Sequence, residues 1–110
     1  MQTKGSHVIA DVWLDEFNAD NELLRVLIDK ALYDSGVQIL DVKCHEFEGG
    51  GFTGVWLLAE SHFSIHTFPE RNYMSIDCYT CGARKPLNVV NSLLKEFSVD
   101  KCKIQVIGRG

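Results

Sequence analysis

The stretch Glu60-Ser61-His62-Phe63-Ser64-Ile65-His66-Thr67-Phe68-Pro69-Glu70 sets two serines, two histidines and two glutamates into eleven residues of an otherwise apolar region. Ser61 beside His62 has the residue types of a hydrolase. A serine nucleophile also needs a base in reach, an orienting carboxylate and an oxyanion hole, and the G-x-S-x-G elbow is absent. His62 and His66 share strand parity and, with a cysteine, would begin a zinc site, but a tetrahedral centre needs four converging ligands and the chain offers no second closely spaced pair. Either histidine taken alone is more often a hydrogen-bonded structural residue. Cys78-Tyr79-Thr80-Cys81 is a C-x-x-C. The next predicted helix begins near Pro86, too late to place a thiol at its N-terminus, and on an extended strand Cys78 and Cys81 point to opposite faces. Gly49-Gly50-Gly51 reads as a flexible turn, because no helix follows it to complete a phosphate cradle. Local chemistry leaves the segment open between a reactive centre and a set of polar residues on a sheet.

The elements that would carry these residues are legible from periodicity. Val8 to Leu14 is strand-like. Leu23, Leu24, Leu27, Ala31 and Leu32 recur near helical spacing, with Asn18 or Asp20 to cap the start and Gly36 to stop the helix. Val37 to Phe47 is extended, Gly49 to Gly51 breaks the chain, and Phe52 to Ala59, Ser61 to Phe68 and Tyr73 to Thr80 are three further strands joined by short turns. An antiparallel meander is the simplest arrangement. Pro86 opens a second helix with Leu87, Val90, Leu93, Leu94 and Phe97 as its apolar stripe, and Lys101 to Ile107 makes a last strand. Strand-helix-strand thus occurs at both ends. The expected fold is α+β, a two-layer sandwich in which an antiparallel-rich sheet of about six strands carries two helices on one face. The other sheet face, made sticky by Trp13, Trp56 and several phenylalanines, calls for a homodimer.

Length and composition narrow the function classes. A chain of 110 residues with 45% apolar and 24% charged residues is expected to be one soluble domain, 1–110. Eleven basic against fifteen acidic residues give a net charge of −4. Without a block of Lys or Arg, nucleic-acid binding is not expected, and a cationic small substrate is mildly favoured. No membrane-length apolar run and no signal-peptide core are seen, so a cytoplasmic location without membrane association is expected. There, Cys44, Cys78, Cys81 and Cys102 would remain reduced. Cys44, Cys78 and Cys102 read as buried hydrophobes.

Glu60 to Glu70, with Cys81 eleven residues further on in T-C-G, resembles the prokaryotic S-adenosylmethionine decarboxylase family. Its typical motif is ESH, a hydrophobic residue, SIHTWPE, then TCG. The likeness extends over most of the chain, including the F-x-G-V segment before ESH and the terminal Arg109-Gly110. The resemblance implies a self-made cofactor. In relatives the serine matching Ser61 attacks the preceding carbonyl and converts the Glu60-Ser61 amide to an ester. β-Elimination then releases Glu60 as a carboxyl terminus, and the residual dehydroalanine hydrolyses to a pyruvoyl group with loss of ammonia. The chain would become a β fragment, 1–60, and an α fragment, 61–110.

By the same resemblance, His66 is the base for processing and Thr53 occupies the position of a hydroxyl, usually serine, that assists it. The pyruvoyl ketone would form a Schiff base with the substrate amine and act as an electron sink for loss of CO₂, and Cys81 matches the general acid that returns a proton. Phe47 and Phe68 would sandwich the adenine of S-adenosylmethionine and Glu70 would bond its nucleoside, aromatic faces also suiting a sulfonium cation. Phe68 stands where the family often has tryptophan, which keeps stacking with less area. Alternatives within reach are a relative acting on arginine or ornithine and a non-cleaving homologue that binds a ligand. Ser61 and His66 are five residues apart, which puts them on opposite faces of an ideal strand. A bulge or turn at the scissile bond is expected to bring them together.

Overall fold

The computed structural model describes residues 4–81 and 85–110; Gly82 of the T-C-G motif lies outside them. The described residues form β1 (Gly5–Leu14), α1 (Asn21–Asp34), β2 (Ile39–Glu46), β3 (Phe52–Leu58), β4 (Ser61–Phe68), a 3₁₀ turn (Pro69–Arg71), β5 (Tyr73–Cys81), α2 (Pro86–Leu94) and β6 (Val99–Arg109). The strands make one sheet in the order β2-β3-β4-β5-β1-β6, with every pairing antiparallel. The expected meander holds from β2 to β5, and β1 is then inserted between β5 and β6.

Alternation along the strands decides which face is buried. Val8, Ala10, Val12 and Leu14 of β1, Phe63 and Ile65 of β4, and Met74, Ile76 and Cys78 of β5 all face the helices and are almost fully buried. The Asp20 carboxylate caps α1 by accepting the Leu23 N–H at 2.7 Å, and Gly36 supplies the left-handed residue beyond its end at φ 74°. The buried face of α1 is Leu24, Ile28, Ala31 and Leu32. Leu23, expected in that stripe, is 46% exposed, because the 24-28-32 row points its neighbour one position back toward solvent. Val89, Val90 and Leu93 of α2 complete the core, with Leu87, Leu94 and Phe97 packed at its margin.

Two expectations about side-chain placement fail. Trp56, assigned to the open sheet face, is fully buried beneath the helices, where its Nε1–H donates to Asp29 Oδ1 of α1 at 2.8 Å. Its indole lies across Gly54 so closely that a Cβ there would stand 2.5 Å from Trp56 Cζ3. Cys44 and Cys102 are exposed rather than buried, since β2 and β6 are the two edge strands and neither helix covers them fully. Among the described residues, no helix is long and apolar enough to cross a membrane.

Candidate active site

The residues singled out by sequence gather at two places on the sheet. One is a cavity of about 590 Å³ lined by Phe47, Thr53, His66, Phe68 and Glu70 together with the glycine turn. The turn closes by Phe47 N–H donating to the Gly51 carbonyl at 2.8 Å and Gly50 N–H donating to the Phe47 carbonyl at 3.1 Å. Gly49 and Gly50 adopt φ of 91° and 99°, conformations that glycine takes without a steric penalty. This tight reversal carries Phe47 to one wall, 52% exposed, opposite Phe68 at 37%. Thr53 and His66 are direct cross-strand partners, and Thr53 Oγ1 lies 2.9 Å from His66 Nδ1. The Phe68 ring stacks on Tyr73 at 5.7 Å, which fixes the aromatic wall.

The second place is the far end of β4. Ser61 is the first residue of the strand after the Ala59-Glu60 turn and pairs with Leu58 on one side and Thr80 on the other. Cys81 ends β5 opposite Gly5 of β1, and its N–H donates to the Glu60 carbonyl at 3.1 Å. That carbonyl belongs to the Glu60-Ser61 peptide. A donor already placed on its oxygen is the arrangement that stabilises charge when the carbon is attacked. Cys78 faces the core, opposite to Cys81, and burial pushes its thiol up to about 12. It is a packing residue with little thiolate character.

The turn expected at the scissile bond is present at Ala59-Glu60, but it does not bring Ser61 and His66 together. The β3-β4 and β4-β5 ladders run without a register shift from Ser61 to Phe68, so strand parity keeps the two residues on opposite faces and about 16 Å apart along the strand. His62 and His66 share the open face but serve different partners, so they form no joint metal site.

Sequence reasoning missed a third cluster. Asp77 of β5 stands on the open face with His7 Nε2 at 3.1 Å and His62 Nε2 at 2.8 Å from the same carboxylate oxygen, Oδ1. Ser64 Oγ donates to its other oxygen, Oδ2. Burial pushes the Asp77 carboxyl up, but the hydrogen bonds from Ser64, His7 and His62 outweigh it and hold the group below the usual carboxylate range. The available signal was parity: His7, His62, Ser64 and Asp77 are polar residues on one face of neighbouring strands, a relation visible only once β1 is known to lie beside β5.

A family model described as S-adenosylmethionine decarboxylase matches residues 6–110. The S-adenosylmethionine decarboxylase proenzyme of Geobacillus sp. is 44% identical over 108 residues, covering 96% of this chain and 82% of its own. Proenzyme 2 of Halalkalibacterium halodurans is 41% identical over 99 residues, covering 87% of this chain and 77% of its own. The crystal structure of the Aquifex aeolicus adenosylmethionine decarboxylase superposes with a TM-score of 0.89 at 31% identity, over 100% of this chain and 93% of that one. This chain belongs to the S-adenosylmethionine decarboxylase family.

Proposed function

We propose that the chain is a proenzyme that cuts itself between Glu60 and Ser61 and then decarboxylates S-adenosylmethionine in the cytoplasm, yielding the aminopropyl donor for spermidine synthesis. The observation that carries this reading is the Cys81 N–H on the Glu60 carbonyl. Ser61 Oγ adds to that carbonyl carbon, the C–N bond breaks, and the amine takes the hydroxyl proton. The oxyanion that forms in between is stabilised by the Cys81 N–H. The pyruvoyl group derived from Ser61 supplies an electron sink for breaking the bond to the substrate carboxyl. Cys81, at the same end of the sheet, returns the proton to the carbon that loses CO₂. The cavity has the volume of a small-molecule site. In it Phe47 and Phe68 take the adenine from two sides, Glu70 bonds the nucleoside, and the aromatic faces receive the sulfonium charge.

One chain holds these parts too far apart to work together, and a homodimer resolves the separation. On the open face, Val55 and Leu57 of β3 are 45% and 52% exposed and Ile107 of β6 is 42% exposed, apolar surface that a second sheet would cover. With the two open faces packed in opposite directions, Cys81 and the start of β4 in one copy meet the cavity of the other, and the Ala59-Glu60 turn has to bring the reacting atoms of Ser61, set by parity on the helix side, toward that face. His66 and Thr53 of that second copy then stand where a base for the Ser61 α-proton is needed. Cleavage does not dismantle such a protein, because β1 from the 1–60 fragment is hydrogen-bonded on both sides to strands of the 61–110 fragment.

Intact-mass measurement of the incubated protein tests the reading: two fragments meeting at Glu60 and Ser61 with a blocked terminus on the second are expected, and a single persisting chain would overturn it. Cys81→Ala keeps the backbone N–H on Glu60 and so still cuts. Its rate of CO₂ release from S-adenosylmethionine falls by about 10²–10⁴-fold, the range of a lost general acid. Unchanged release, or release from arginine or ornithine instead, would remove Cys81 or the substrate from this account.

A further inference from the structure

His62 and Ser64 belong to the motif yet do not line the cavity, and both are held by Asp77. His7, His62 and Asp77 offer three ligand atoms within 4.8 Å of one another, a spacing from which a metal site could be built. The hydrogen bonding assigns the cluster differently. Arg109 Nη1 lies 3.4 Å from His7 Nδ1; a guanidinium only donates, so the His7 proton belongs on Nε2, facing Asp77 rather than a cation. His62 Nε2 approaches the same Oδ1 and Ser64 occupies Oδ2, so the carboxylate receives three donors from two strands flanking its own.

We propose that Asp77 is a positioning residue for self-cleavage, acting through His62 on the Glu60-Ser61 junction; the inference rests on the self-cleaving function proposed above. His62 directly follows the serine that attacks. Its ring, fixed to Asp77, and the Ser64 hydroxyl two residues on, pin the open face of β4 onto β5. This is the same β5 whose last N–H, that of Cys81, holds the carbonyl to be attacked. The nucleophile and the carbonyl it attacks are therefore set by two strands locked together at one carboxylate. His7 adds β1, the strand that pairs with Cys81 through Gly5. Small misplacements at a reacting centre are costly to rate, so loosening this lock slows the acyl shift without unfolding the sheet.

The test follows first-order cleavage of freshly folded precursor by intact mass. A hydroxylamine pulse in parallel splits any Glu60-Ser61 ester into a hydroxamate and a free Ser61 terminus. Asp77→Asn, which keeps the shape and removes the charge, is expected to cleave at least tenfold more slowly and to give less hydroxylamine-sensitive ester, at a thermal midpoint close to that of the parent. Asp11→Asn is the control: it makes the same change on the same face, where Asp11 accepts from Tyr73, and is expected to cleave at the parental rate. Should Asp77→Asn fail to fold, Ser64→Ala removes the Oδ2 partner alone and is expected to slow cleavage severalfold. Equal rates for Asp77→Asn, Ser64→Ala and Asp11→Asn would overturn the role of Asp77 while leaving self-cleavage intact. An uncut parent chain would overturn both readings. Zinc or EDTA changing the parental rate, with that response lost in Asp77→Asn, would replace the positioning role by a metal site.

Discussion

Ser61→Ala yields a folded chain that stays whole and releases no CO₂. The substitution removes one hydroxyl at the first position of β4. The strand pairings to Leu58 and Thr80 and the Cys81 N–H on the Glu60 carbonyl are backbone contacts, so all of them persist. Stability therefore shifts by only about 0.5 kcal/mol, as for a substitution that leaves no cavity and no orphaned polar group. On the proposed function the loss is complete, because the hydroxyl would be both the nucleophile that opens the peptide and the source of the electron sink. Other site residues lower a rate, whereas this one decides whether the reactive group exists. Mass spectrometry should show a single species after days of incubation, with a thermal midpoint within a few degrees of the parent precursor. A cut Ser61→Ala chain would place the nucleophile elsewhere.

The sequence made some of this visible and hid the rest for identifiable reasons. Helix α1 was legible because its start and stop are local: a carboxylate at Asp20 reaching the Leu23 N–H and a glycine where φ turns positive. The buried face of β4 was legible because apolar and polar residues alternate from Phe63 to Thr67. In β3 the run Val55-Trp56-Leu57-Leu58 is apolar on both faces, so parity could not say where the indole goes; the approach of α1, with Asp29 in reach, decides it. Cys44 and Cys102 were misplaced because edge and centre strands read alike until the order of the sheet is known. The Asp77 cluster joins residues up to 70 positions apart, and no local pattern announces such a partnership. For Ser61 and His66 the parity rule was right, and the turn expected at the scissile bond, present at Ala59-Glu60, does not defeat it. The proposed chemistry needs both residues and the strand separates them, which is why His66 is proposed to come from a second copy.

That reconciliation has a sharp consequence: chains carrying Ser61→Ala and chains carrying His66→Ala, each uncut or slow alone, restore cleavage when folded together. In a mixed dimer, one site combines Ser61 from the His66→Ala chain with His66 from the Ser61→Ala chain and is whole. The other site lacks both. In each mixed dimer the His66→Ala chain should therefore be cut at close to the parental rate while its Ser61→Ala partner stays intact, and if equal amounts pair at random about half of the His66→Ala chains are cut. Placing the two substitutions on one chain and mixing it with the parent distinguishes complementation from a general effect of dimerisation. In that mixed dimer each site lacks either Ser61 or His66, and cleavage should be confined to parent homodimers. A base acting on the serine of its own chain predicts the opposite pattern, with no recovery from the two single variants. It would also require His66 to travel most of the length of β4, against an unbroken ladder of hydrogen bonds on both sides. Mass analysis of isotope-labelled chains, one type heavy and one light, reads which copy is cut and so decides between the two geometries.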